Sequence, residues 1–208
     1  MRMITVAKLF FFPAFTRPYR MLLAFSGFVL VVSVALGYGT WAADAALARQ
    51  ATDQVMARFE IMAGLNWWGQ FLVILFNNLK VIVLAIISGA FIPLLPFLVG
   101  LLSNGVFLGL LAGYYEYEKG VANSTFFLNL LSHGLFEIPA VLLAVTVGAL
   151  WGVRNWRSFF RGEKAWSSWG DHAKASLAFV PLILVLLFIA ALVEVLVTPL
   201  LGNLPSFV

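Results

Sequence analysis

Asn129, His133 and Glu137 stand four residues apart within one long apolar stretch, so on a helix they share one face. An imidazole and a carboxylate one turn apart can grip a single cation or pass a proton between them. Five more polar residues interrupt apolar stretches elsewhere: Asn77, Asn78, Lys80, Asn104 and Glu194. Holding an ionisable side chain in hydrocarbon costs about 2.5–3.5 kcal/mol even on lenient insertion scales, so such groups are expected to face a bundle interior and find partners there. Depth follows from the helical rise. His133 lies about 10 Å and Glu137 about 16 Å below Phe126, the two asparagines about 15 Å below Trp67, Asn104 about 15 Å below Tyr114 and Glu194 about 9 Å below Leu200. Lys80 follows one turn deeper than the asparagine pair. The shared level predicts one buried polar cluster.

Three chemistries are open to such a cluster. It can be a hydrogen-bonded core that fixes helix register, with Glu137 or Glu194 kept neutral by burial. It can be a metal site, with His133, Glu137 and Glu194 as ligands to a divalent transition metal such as zinc or iron. It can be a path for protons or a small solute, with Lys80 and the carboxylates as carriers. These give a non-enzymatic scaffold, an intramembrane hydrolase with Glu137 or Glu194 as general base on a metal-bound water, and a transporter. No Gly-x-Ser-x-Gly, phosphate-cradling loop or His-Glu-x-x-His is found, so no catalytic residue is assigned and the scaffold leads. The absence of an evident internal repeat weakens the transporter.

The elements that position these residues are set by hydropathy. The 208 residues are 62% hydrophobic and 11% charged, where a soluble domain carries about 25% charge. A water-soluble globule and a disordered chain are excluded, and the lack of cysteine excludes disulfides and thiolate ligands. A spanning helix needs about 20 apolar residues. Five stretches meet this, at about 21–40, 67–92, 97–114, 126–152 and 176–200. They predict an all-α polytopic integral membrane helical bundle forming a single transmembrane domain over 1–208. Pro93 and Pro96 end the second span and release the third. Pro139 frees a carbonyl and bends the fourth helix beside Glu137, and Gly134 admits a neighbouring backbone. Gly105, Gly109 and Gly113 form one small-residue ridge, and Ala140, Ala144, Gly148 and Gly152 a second.

Charge orients the set. Nine of the 13 lysines and arginines lie in the N-terminal arm (Arg2, Lys8, Arg17, Arg20) or the fourth loop (Arg154, Arg157, Arg161, Lys164, Lys174). The positive-inside rule puts both in the cytoplasm and the C-terminus outside, in a multi-pass protein of the cell membrane. Trp41, Trp67, Trp68, Tyr114 and Tyr115 mark the outer interface, Trp151, Trp156, Trp166 and Trp169 the inner one. Ala43-Asp44-Ala45 has the form of a cleavage site, but the preceding run is longer than a signal peptide's, and an uncleaved anchor is expected. Two amphipathic helices complete the plan. One spans Asp44–Leu65 on the outer side, with Leu47, Ala51, Val55, Phe59 and Met62 on its apolar face, lying on the membrane or docking an extracytoplasmic partner. The other interleaves Arg154, Arg157 and Arg161 with Trp156, Phe159 and Phe160 to bind anionic lipid; the flanking spans argue against nucleic acid. His172 is expected to be solvated at this interface.

The run His133-Gly-Leu-Phe-Glu-Ile-Pro-Ala140 resembles the His-Gly-x-x-Glu-[Leu/Ile]-Pro-Ala hallmark of the stage II sporulation protein M family. Asn77-Asn78, Asn104-Gly-Val-Phe-Leu-Gly109, and Glu194 with Thr198-Pro199 follow in that family's order, over roughly 71–200. The resemblance implies a polytopic membrane protein of about five spans. Its sporulation member holds peptidoglycan-degrading partners outside the membrane. The combined expectation is a scaffold in the lipid bilayer, homodimeric, that recruits or regulates extracytoplasmic cell-envelope proteins around a His133–Glu137–Glu194 core.

Overall fold

The computed structural model describes residues 17–162, 169–170, 172–174 and 177–196; the side chains of 58–61, 63, 129, 132 and 133 lie outside the described residues. Outside them too lie Arg2 and Lys8 of the arm, Lys164 and Trp166 of the basic loop, and Thr198-Pro199. The elements are helices: α1 (Arg17–Ala43), α2 (Ala45–Ala63), α3 (Trp67–Phe91), a π-helical turn (Phe97–Leu102) leading into α4 (Ser103–Tyr117), α5 (Asn123–Phe160) and α6 (Val180–Leu196). Four stretches, Arg17–Ala43, Trp67–Phe91, Phe97–Tyr117 and Gly134–Phe160, are long and apolar enough to cross a membrane; α6 is a shorter apolar helix of 17 residues. The protein is an all-α membrane bundle.

On α1 small and weakly polar residues face inward beside Tyr19 and Trp41, while most large apolar ones face out. On α1 the buried residues are Tyr19, Ser26, Ser33, Gly37 and Trp41, whereas Phe25, Phe28, Val31 and Leu36 are exposed. Lipid tails match large apolar side chains, so close backbone approach, not burial of leucine, holds such helices together. Both expected ridges act this way. A Cβ on Gly109 would strike Val34 O and Tyr38 N, and one on Gly113 the Trp41 ring, so this ridge seats α4 on α1. Gly148 and Gly152 meet the backbones of Ala85 and Gly89, with Ala140 and Ala144 fully buried beside them, which seats α5 on α3. At the crossing of α1 and α5, Ser26 Oγ and Thr146 Oγ1 lie 3.3 Å apart, each also donating to its own helix backbone.

The turn holding Pro93 and Pro96 separates α3 from the π turn as the prolines require. From it α3 packs on α5 and α6 while α4 packs on α1. The two neighbours in sequence therefore diverge, and the gap between them is backed by α5.

Several expectations need correction. α2 forms, capped by the Asp44 carboxylate accepting from Leu47 N at 3.0 Å, but its inward stripe begins at Ala48 and Thr52, not at Leu47 and Ala51. Leu47 is 54% exposed. Either set joins Val55 and Met62 at helical spacing, and contact with the bundle selects the smaller pair. The basic segment Arg154–Phe160 is no separate surface helix. It continues α5, whose 38 residues span about 57 Å, nearly twice a hydrocarbon core. Asn155 and Trp156 donate to the Ala90 and Phe91 carbonyls at 2.9 and 2.7 Å, capping the end of α3. His172 is held there as well, 3.1 Å from Asn155 Oδ1, and is not simply solvated.

Candidate functional site: an intramembrane polar cavity

The gap between α3 and α4 encloses a cavity of about 440 Å³. Asn77 and Asn78 enter it from α3, Asn104 from α4, Gly134 and Glu137 from α5 and Glu194 from α6. Val55 and Met62 of α2 line it as well, so α2 covers part of it. The sequence folds this way because the prolines splay α3 from α4, and the π turn then re-aims the start of α4. In that turn Gly100 packs against Val145, and Asn104 Nδ2 donates 2.9 Å to the Gly100 carbonyl. The extra residue of a π turn disturbs the regular ladder, which gives the asparagine a carbonyl to bind.

Asn78 is within hydrogen-bonding reach of the half-buried Glu137 carboxylate. Glu194 is 9% exposed and close enough to Glu137 for their charges to interact. Two carboxyls in a low-dielectric pocket repel when both are ionised, and a cation held between them offsets that repulsion. The remaining lining is apolar, including Ile74, Phe107, Leu111, Phe126 and Leu130.

The shared depth read from the sequence thus brings Asn77, Asn78, Asn104, Glu137 and Glu194 to one cavity. Lys80 does not belong to it. Its side chain is exposed on α3 beside Phe76, Val83 and Leu84, because two residues beyond Asn78 the helix has turned by about 200°. The side chains of Asn129 and His133 lie outside the described residues; the α5 backbone places His133 one turn before Glu137. Among the described residues no group of three His, Asp or Glu could hold a metal ion. Gly134 receives no neighbouring backbone. A Cβ there would meet only Ile138 and Leu130 of its own helix, and the position lines the cavity instead. Of the basic residues, Arg154 is half-buried while Arg157 and Arg161 are exposed.

A second polar network went unread in the sequence. Glu116 accepts from Tyr38 Oη and, at 2.6 Å, from Asn123 Nδ2; Trp41 Nε1 donates 2.9 Å to Leu110 O; and Arg49 pairs with Glu118 at 2.7 Å. These contacts join α1, α2, α4 and α5 at the α2 end. Tyr38 and Asn123 look like interfacial residues in sequence, and no local spacing links them.

The fold and cavity define a multi-pass membrane protein built around an intramembrane polar pocket. A family model, stage II sporulation protein M, matches residues 22–199, and the chain belongs to that family. Comparison with curated proteins and with solved structures gave no match.

Proposed function

We propose that the protein is a membrane scaffold that recruits or regulates extracytoplasmic cell-envelope partners, including peptidoglycan-remodelling proteins, through α2. The observation that carries this reading is the placement of α2. One side of it roofs the polar cavity through Val55 and Met62, while Leu47, Gln50, Gln54 and Ala57 stay exposed along the other. On this reading α2 links the cavity to a surface free to meet a partner. The charge bias supports the sidedness, with the N-terminus cytoplasmic and the α2 end outside. Family membership supports the class of partner. The cavity also ends against close packing: Ala140, Ala144 and Val145 are fully buried, and the Gly89–Gly148–Gly152 seam follows. A solute path would have to part that seam, which favours a scaffold over a transporter.

The test is recovery of peptidoglycan-remodelling enzymes with the tagged full chain after crosslinking in cells. Glu substitutions at Leu47, Gln54 and Ala57 together are expected to reduce recovery while leaving the amount of membrane-inserted protein unchanged. Undiminished recovery would overturn the reading.

A second reading has one observation in its favour, the two carboxyls of Glu137 and Glu194 in a single cavity with His133 one helical turn away. It puts a zinc or iron ion among these three residues, and Glu137 or Glu194 would then serve as a base in hydrolysis. Metal analysis of chain purified without chelator is expected to find one ion per chain on this reading, and none if it is wrong.

A further inference from the structure

We infer that the cavity binds a hydrophobic amine: a protonated ammonium carried on an apolar body, admitted sideways from the membrane along the α3 edge. The inference names an occupant for the pocket beneath α2, and it rests on the scaffold reading only for its consequence, not for binding.

Hydrogen-bond bookkeeping sets the charge of the ligand. Asn104 places one N–H of its amide on the Gly100 carbonyl and keeps its oxygen as an acceptor at the cavity wall. Asn78 lies near the Glu137 carboxyl, and Asn77 lines the cavity beside it. Glu194 is more than nine-tenths buried, lines the cavity and has no hydrogen bond to any described residue. A buried carboxyl that gains no hydrogen bond from the described residues is costly to hold there. No lysine or arginine is among the described lining residues, and Lys80 faces away. Two carboxyls that repel when both are ionised, with no lysine or arginine among the described lining residues, suit a donor-bearing cation placed between them.

Size and walls set the rest. About 440 Å³ falls within the range of small-molecule pockets, roughly 300–1,000 Å³, and far exceeds the ~30 Å³ share of one water. A bare ion would leave the walls of Phe107, Leu108, Leu111, Phe126, Leu130 and Ile138 uncovered, so an apolar body is required. Entry is from the side. Val73 and Asn77 line the cavity and are also exposed on the lipid-facing surface of α3. With no basic group among the described lining residues to receive a phosphate, a free amine is favoured over an aminophospholipid.

The experiment places the full chain in phosphatidylcholine nanodiscs and measures binding of radiolabelled dodecylamine, with partition into empty discs subtracted. One saturable site per chain is expected. Dodecanol and dodecanoate, which keep the chain but lose the ammonium, should compete at least about tenfold more weakly, as loss of a charge-assisted hydrogen bond implies. Glu194→Gln should weaken binding by a similar factor, and Lys80→Gln should leave it unchanged. Displacement by phosphatidylethanolamine added to the discs would assign the lipid as source, and its failure a free amine; either outcome keeps the ammonium site. No saturable binding, equal competition by dodecanol, or a site filled by zinc alone would overturn the inference. If Glu194→Gln does not fold, the wild-type competition decides. Failure of amine binding with envelope partners still recovered would leave the scaffold reading intact, and the reverse result would leave the amine site.

Discussion

At the scale of single residues, this bundle is controlled by side chains that are missing. Gly109 of α4 sits where any Cβ would strike the α1 backbone, so Gly109→Ala must push the helices apart. A loss of about 1–3 kcal/mol is expected, the usual cost of overpacking, read as a lower thermal midpoint in detergent. Gly27 on α1 has nothing within 4 Å of that position, and Gly27→Ala should instead gain about 0.5–1 kcal/mol from helix propensity. Two glycines with the same local sequence character thus carry opposite signs. The site residues were legible at this scale for a simple reason. Glu137, Glu194 and Asn104 are too polar for hydrocarbon and had to meet. Lys80 obeys the same cost argument yet points outward, because cost sets how strongly a residue seeks a partner, not which way its helix faces.

The elements themselves were readable nearly end to end, since hydropathy and two prolines mark α1, α3 and α4 without help from tertiary contacts. Two features were not. The inward face of α2 depends on which stripe meets the bundle, and Ala48 and Thr52 give little hydropathy signal beside Leu47. Thr52 is buried and donates to Ala48 O at 2.8 Å, so Thr52→Lys is expected to cost roughly 3 kcal/mol by burying an unpaired charge. Leu47→Lys should stay within about 0.5 kcal/mol. Parallel thermal unfolding of the two variants checks the register. Arg49→Ala, which breaks a largely exposed ion pair with Glu118, should cost no more than about 1 kcal/mol. The other feature is the length of α5. Its basic stretch reads as a surface helix because charge and aromatics change there, but helical spacing never breaks between Asn123 and Phe160. Only the partners of Asn155 and Trp156 on α3 reveal why it continues.

At the scale of the whole molecule, the divergence of α3 from α4 and the placement of α2 across the gap make the two ends of the bundle unlike. One end carries the cavity, its roof and the Glu116 network. The other carries the capped end of α3 and the basic extension of α5. Which end faces the cytoplasm decides whether α2 can meet envelope proteins at all, and the chain offers a direct way to measure it. It has no cysteine, so any introduced thiol is the sole target of a maleimide. Asp53 on α2 and Arg161 beyond α5 are both exposed, at opposite ends. With the basic end inside, the sidedness proposed above from the charge bias, Asp53→Cys in intact cells should react with a membrane-impermeant maleimide, and Arg161→Cys only after permeabilisation. The reverse pattern would place α2 in the cytoplasm and remove the route from cavity to cell envelope. The same pair reports on the span count. With Asp53 following one span and Arg161 following four, opposite labelling requires an odd number of crossings among α3, α4 and α5, and their lengths allow all three.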